Sequence, residues 1–302
     1  MTSSTRWFLV ILAVLAVIAI LFTLVLVSIL GGGDERTEVV TSGSGEKIAV
    51  VDIKGEITSS EDVVRQLKKY RGMSSVKAVL LRIDSPGGGV VASQEMYEEV
   101  RKTRDAGTPV VVSMGSLAAS GGYYVACGAS RIVANRGTLT GSIGVIAEFL
   151  QLQELLGKIG VDVKTIKSGK LKDSGTQTRK MTEEEQKYFQ GLMDDVHRQF
   201  IGVVERERHL SAAQTRSLAD GRVYTGEQAV SLGLVDTLGT YEDAVSIAAA
   251  MAGIDGEPAI VKERKRRSWI ESMAGDVTEE MRAIKEELLA QPVLSFRFTG
   301  SR

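Results

Sequence analysis

The sequence predicts an α/β domain with a parallel sheet, preceded by one N-terminal transmembrane helix. Two patterns carry this. From Lys47 to Ile166, short apolar runs rich in β-branched residues alternate with helix-length amphipathic segments. Trp7 to Leu30 contains no charged residue, a run longer than the roughly 20 residues that cross a bilayer. A third observation concerns function: glycine-rich loops lie at predicted strand ends at 84–89 (DSPGGG), 115–122 (GSLAASGG) and 138–145 (TLTGSIGV), an arrangement that converges on one cleft.

The 302 residues, 43% of them hydrophobic, suffice for one large or two ordinary domains. A net charge of −1 argues against a nucleic-acid partner. The single cysteine, Cys127, excludes an intramolecular disulfide and falls among small residues that suit a core. The only histidines, His197 and His209, share one predicted helical region. They give little support to a histidine triad or metal site and read as solvated or capping groups.

In chain order, the apolar run ends at Gly31-Gly32-Gly33 with no small-residue cleavage site, so it reads as an anchor rather than a signal peptide. Arg6 precedes it and Asp34-Glu35 follow, which puts residues 1–6 in the cytoplasm and the folded domain outside. Residues 31–46 form a polar, glycine-rich tether. Predicted strands follow at Lys47–Ile53, Val76–Ile83, 109–114, Arg131–Ala134, Ile143–Ile146 and Val161–Ile166. Predicted helices lie at Ser60–Arg71, Val90–Ala106 and Gln151–Lys158, with a small-residue helix beyond the 109–114 strand.

In DSPGGG, Pro86 biases Ser85 to an extended backbone, and Gly87, Gly88 and Gly89 expose amides that can hold a carbonyl oxygen. A plain turn would look the same, while the nucleotide-binding glycine patterns are absent. Within 113–126 (SMGSLAASGGYYVA), small residues surround a hydroxyl that a following amide and helix start can serve. Tight packing of helix on strand is the other reading.

DSPGGG, SMGSLAASGGYYVA, TLTGSIGV and TIKSGKLKDSG, in this order and followed by ADGRVYTGEQAVSLGLVD, resemble the signal peptide peptidase A family over about Lys47 to Ala250. These are membrane-anchored serine peptidases with a Clp protease/crotonase-like fold, a repeated β-β-α spiral. The resemblance implies a Ser/Lys dyad, with Ser120 as nucleophile in A-S-G-G and Lys172 as general base in S-G-x-x-K-D. It also implies an oxyanion hole of the Gly121 amide with one from Gly87 or Gly88, no cofactor or metal, and a homo-oligomer acting on remnant signal peptides and unfolded chains.

Chemistry favours a lysine base in so histidine-poor a chain, because burial disfavours the charged amine and frees it to accept a proton. Lys164, Lys167, Lys170 and Lys180 are nearby alternatives that only the motif sets aside, and Lys170 is the nearest rival. A peptide would lie between the strand edges Gly89-Val90-Val91 and Gly141–Val145, with Ser142, Ile143 and Gly144 lining the groove and Thr140 close by.

The second half reads as scaffold. Capping boxes begin at Thr182, Ser211 and Thr225. The first opens a long helix whose stripe of Phe189, Leu192, Val196, Phe200 and Val203 serves core or subunit contact. The helix after Thr225 stops at Gly233, before a short Leu234-Val235 strand. Arg264–Arg267 is a basic run and Thr278–Ala290 a further helix. The expected division is a cytoplasmic 1–6, a transmembrane 7–30, a linker 31–46, a peptidase domain 47–252 and an extension 253–302. A crotonase-type acyl-CoA enzyme and a non-catalytic membrane scaffold are the alternatives.

Overall fold

The computed structural model describes residues 36–42, 45–265 and 295–297, together with the single helical positions Trp7, Leu15 and Thr23. The expected transmembrane run lies otherwise outside the described residues, as do the 278–290 helix and the end of the basic run. Among the described residues no helix is long and apolar enough to cross a membrane. The chain divides into two compact units, 1–39 with 262–291 and 40–261 with 292–302. The second unit holds all three glycine-rich loops.

Its strands are β1 (Arg36–Ser42, shared with the first unit), β2 (Lys47–Lys54), β3 (Val76–Ser85), β4 (Gly87–Gly89), β5 (Val110–Ala119), β6 (Arg131–Ala134), β7 (Leu139–Gly141), β8 (Val223–Thr225), β9 (Thr237–Leu238), β10 (Ala259–Lys265, likewise shared) and β11 (Ser295–Arg297). Its helices are α1 (Glu61–Arg71), α2 (Val90–Asp105), α3 (Gly121–Ala126), α4 (Gln153–Lys158), α5 (Glu183–Arg208), α6 (Ala212–Leu218), α7 (Gly226–Ser231) and α8 (Tyr241–Met251). The main sheet runs β1-β10-β2-β3-β5-β6-β9, and β2, β3, β5, β6 and β9 are mutually parallel.

The central strands are unbroken apolar runs because helices cover both faces. On one face Leu67 and Tyr70 of α1 and Tyr97 and Val100 of α2 pack with Val79, Leu81 and Val112. On the other, Ala244 and Ala248 of α8 pack with Val50, Ala78 and Leu80.

The strand expected at 109–114 continues to Ala119. Its first half pairs with β6 and its second with β7, as Leu117 with Leu139 and Ala118 with Thr140. Thr140 Oγ1 secures this change of neighbour by donating to Ala118 O at 2.7 Å. The small-residue helix is therefore only α3.

Other expectations shift for lack of a ladder partner. Val161–Ile166 has strand-like alternation but no regular structure, and every residue in it is exposed; none of the described strands pairs with it. Of Ile143–Ile146 only Ile146 forms a bridge, to Ser295. The amides of Leu234 and Val235 turn back to Ala229 O, so the ladder begins at β9. The capping boxes at Thr182, Ser211 and Thr225 form, and a fourth forms at Thr240. Along α5, Phe200 and Val203 are buried while Leu192 stays exposed.

Candidate active site

The site is built where β5 gives way to α3. Ser120 is 1% exposed and adopts φ 52°, ψ −115°, a left-handed backbone that costs a non-glycine residue about 1–3 kcal/mol. Its surroundings hold it there. The Ser120 amide donates to Gly141 O at 2.8 Å, and its carbonyl accepts from the Tyr124 amide at 2.8 Å. Gly121 is required because an added methyl would lie 2.5 Å from Ser93 Oγ, and that hydroxyl donates to Gly89 O at 2.9 Å. Behind it, Tyr123 OH donates to Leu234 O at 2.9 Å, anchoring α3. Ser120 Oγ makes no hydrogen bond among the described residues.

The DSPGGG loop runs beside this turn. Gly87 has φ 96°, and a methyl there would lie 2.5 Å from the Gly121 amide nitrogen. Ser85 Oγ accepts from the Gly87 amide at 3.1 Å. Ile57 grips the loop from the far side: its amide donates to Gly87 O at 2.8 Å and its carbonyl accepts from the Gly89 amide at 2.7 Å. Val90 and Val91 open α2, so only Gly89 of the expected 89–91 edge is extended.

The third loop closes the group. Ser142 has φ 50° and its amide donates to Arg222 O at 2.9 Å. Ile143 is fully buried, and its carbonyl faces His197 Nε2 at 3.2 Å. Ser142, Ile143 and Gly144 line a cavity of about 400 Å³ with Asp194, His197 and Asp220. The three loops are thus contiguous, through Gly87 against Gly121 and Gly141 bonded to Ser120.

Lys172 is exposed, and its amide donates to Gly169 O at 3.1 Å. Among its rivals, Lys170 pairs with Glu184, Lys167 with Asp173 and Lys180 with Glu154, while Lys164 is exposed. The segment carrying Lys172 is fastened by Arg179, which bonds Asp173 at 3.0 Å and Glu185 at 2.8 Å. Hydrogen bonds from Arg179 and Lys167 hold the Asp173 carboxyl down to about 2. Arg179, aided by the Thr182 amide, holds Glu185 well below the usual carboxylate range.

Of the remaining candidates, Cys127 is buried and burial pushes its thiol up to about 12. His209 caps the C-terminus of α5 at φ 52°. Ile57, Ser93 and β11, whose Phe296 is fully buried, join the site without having been expected from sequence. The alternation of Leu294, Phe296 and Phe298 with Ser295 and Arg297 was the available strand signal.

Residues 102–255 match Peptidase family S49, a span that holds both Ser120 and Lys172. The chain is 46% identical over 212 residues to a Synechocystis sp. protein named protease slr0021, covering 70% of this chain and 76% of that one. It is 38% identical over 229 residues to an Enterococcus faecium protein named signal peptide peptidase SppA, covering 71% and 67%. A ClpP1 mutant from Listeria monocytogenes aligns in structure with a TM-score of 0.44 at 19% identity, covering 65% of this chain and 93% of that one. A family match over half the chain, with relatives this similar over most of their own length, establishes that the protein is a serine peptidase of family S49, the signal peptide peptidase A family.

Proposed function

We propose a membrane-anchored endopeptidase in which Ser120 attacks the peptide carbonyl, Lys172 takes the serine proton, and amides of Gly121 and of Gly87 or Gly88 hold the tetrahedral oxygen. The observation that carries this reading is the strained, buried Ser120, whose following residue Gly121 lies against Gly87. Strain of that kind persists only where packing over-determines it, and it gathers at catalytic turns. Among the described residues Ser120 Oγ is also free of competing hydrogen bonds, as a nucleophile awaiting its base must be.

The base requires a step beyond the isolated chain. An amine accepts a proton from serine only where its surroundings disfavour its charged form, and Lys172 is exposed. Subunit assembly supplies that burial, so the homo-oligomer and the dyad are one proposal. The substrates are extended backbones, remnant signal peptides and unfolded chains, held by strand pairing along Gly89 and the Ser142-Ile143-Gly144 segment. Water is the only co-reactant, so no cofactor is required. Residues 7–30 anchor the chain, and the 47–252 domain, built as a β-β-α spiral, works outside the cytoplasm.

The test is Ser120→Ala in the purified full chain. It abolishes both peptide turnover and labelling by a fluorophosphonate, with the circular dichroism spectrum unchanged. Near wild-type turnover by that variant would sink the assignment.

A further inference from the structure

The long helix α5 reaches the third glycine-rich loop through one side chain. His197 is half-buried, and its Nε2 lies 3.2 Å from Ile143 O. A carbonyl can only accept, so Nε2 carries the proton and donates. That bond ties the loop to α5 at a residue whose own side chain is fully buried. One residue earlier the Ser142 amide donates to Arg222 O at 2.9 Å, and before that Gly141 O accepts from the Ser120 amide at 2.8 Å. The loop is therefore fixed bond by bond from the nucleophile turn as far as Ile143.

Beyond Ile143 this bonding stops. The peptide joining Ile143 to Gly144 is trans and planar, so a carbonyl held toward α5 turns the Gly144 N–H to the opposite side. Among the described residues neither the amide nor the carbonyl of Gly144 makes a backbone hydrogen bond, and the residue is partly exposed beside the cavity of about 400 Å³. An open amide next to the nucleophile turn suits a substrate carbonyl. The same glycine makes its direction easy to lose. A peptide plane that precedes glycine reverses at little steric cost, because glycine accepts φ of either sign. Little packs against it here, since an added methyl at Gly144 would meet only Gly221 within 4 Å.

We propose that His197 is a positioning residue that latches the Ile143–Gly144 peptide, so that the Gly144 N–H is presented to the backbone of an extended substrate. The inference rests on Ser120 being the nucleophile, and it deepens that reading by naming the group that sets the groove's edge. With the latch gone, the reversed plane turns the Ile143 carbonyl toward the substrate's own carbonyl, and two acceptors meet without a donor. His197 touches neither substrate nor reacting atoms. Its loss therefore weakens the hold on a long peptide more than it slows acyl transfer.

The experiment is steady-state kinetics of the full chain in detergent micelles, comparing wild type, His197→Ala and His197→Gln. Each is assayed on a long unstructured peptide and on p-nitrophenyl acetate, an ester too short to reach Gly144. Glutamine keeps an N–H at about the reach of Nε2. His197→Ala lowers the peptide-to-ester ratio of kcat/KM by about tenfold, the weight of one hydrogen bond, and does so mainly through KM. His197→Gln recovers most of that ratio. A ratio that His197→Ala leaves unchanged, or that falls equally in both variants, makes His197 merely structural and overturns the inference while leaving the peptidase reading intact. A wild type inert to both substrates fails that reading itself, and the inference with it.

Discussion

At the scale of single residues, the proposed chemistry joins a serine whose backbone is fixed within the chain to a lysine that is exposed. The strained Ser120 backbone is set by Gly141 O, by the α3 amides and by the space that Gly121 leaves for Ser93, so its position is a property of one folded chain. Lys172 lies in an exposed segment. Removing a general base typically costs on the order of 10² to 10⁴ in rate; Lys172→Ala is therefore expected to reduce peptide turnover by that much, whereas Lys170→Ala, which removes a surface pair with Glu184, leaves it within about twofold. Steady-state assays of the two purified variants decide it, and the reverse ranking would move the base by two residues. Cys127 offers a separate check. Its burial and raised thiol pKa keep the reactive thiolate scarce, so iodoacetamide at pH 8 should modify it only after denaturation.

At the scale of elements, what could be read from sequence was whatever is decided locally. The capping boxes at Thr182, Ser211 and Thr225 lie within four residues of chain, and each forms; Thr182→Ala should cost about 1 kcal/mol in thermal unfolding. Elements that depend on a distant partner were harder. Val161 and Val163 alternate as a strand does, yet they find no ladder partner among the described residues. β11 forms because β4 lies roughly 200 residues earlier, which no local pattern reports. For the site, the three loops were legible because glycine is needed where backbones meet, but the depth of the Phe296 pocket depends on Phe200 of α5 approaching Tyr124 of α3. The Arg179 clasp was also invisible, and it has a pH signature. Asp173 and Glu185 titrate below their usual range, chiefly through Arg179. Their contribution to stability is therefore present above the ordinary carboxylate value of about 4 and is lost as pH falls through the folded values, towards about 2 for Asp173. The stability gap between wild type and Arg179→Ala should shrink over that window, as measured by chemical denaturation; a gap independent of pH would count against the clasp.

At the scale of the whole molecule, the direction in which the domain faces and the cover over its exposed apolar residues decide how the site is used. The proposed orientation rests on Arg6 before the apolar run and Asp34-Glu35 after it, and it predicts that protease added to intact spheroplasts digests the domain without permeabilisation; protection until the membrane is opened would reverse it. The exposed residues argue for assembly. Leu155, Ile159, Val161, Val163 and Ile166 are 55%, 64%, 45%, 47% and 92% exposed, within a dozen residues of chain that run toward Lys172. Water does not favour so dense a run of exposed apolar side chains, and contact with another copy is what would cover it. Such contact would offer the Val161–Ile166 segment a ladder partner and bury Lys172 beside a serine that is not its own. It would also enclose the groove, sparing folded proteins while admitting extended chains. The full chain should therefore sediment as an oligomer. Val163→Asp with Ile166→Asp should dissociate it and abolish turnover while leaving its circular dichroism intact. Co-expressing Ser120→Ala with Lys172→Ala, each inactive alone, should restore activity to about a quarter of wild type, because in a random ring of head-to-tail contacts about one interface in four pairs an intact serine with an intact lysine. An active monomer, or mixed oligomers without activity, would return the lysine to its own chain and require the 159–172 segment to fold inward instead.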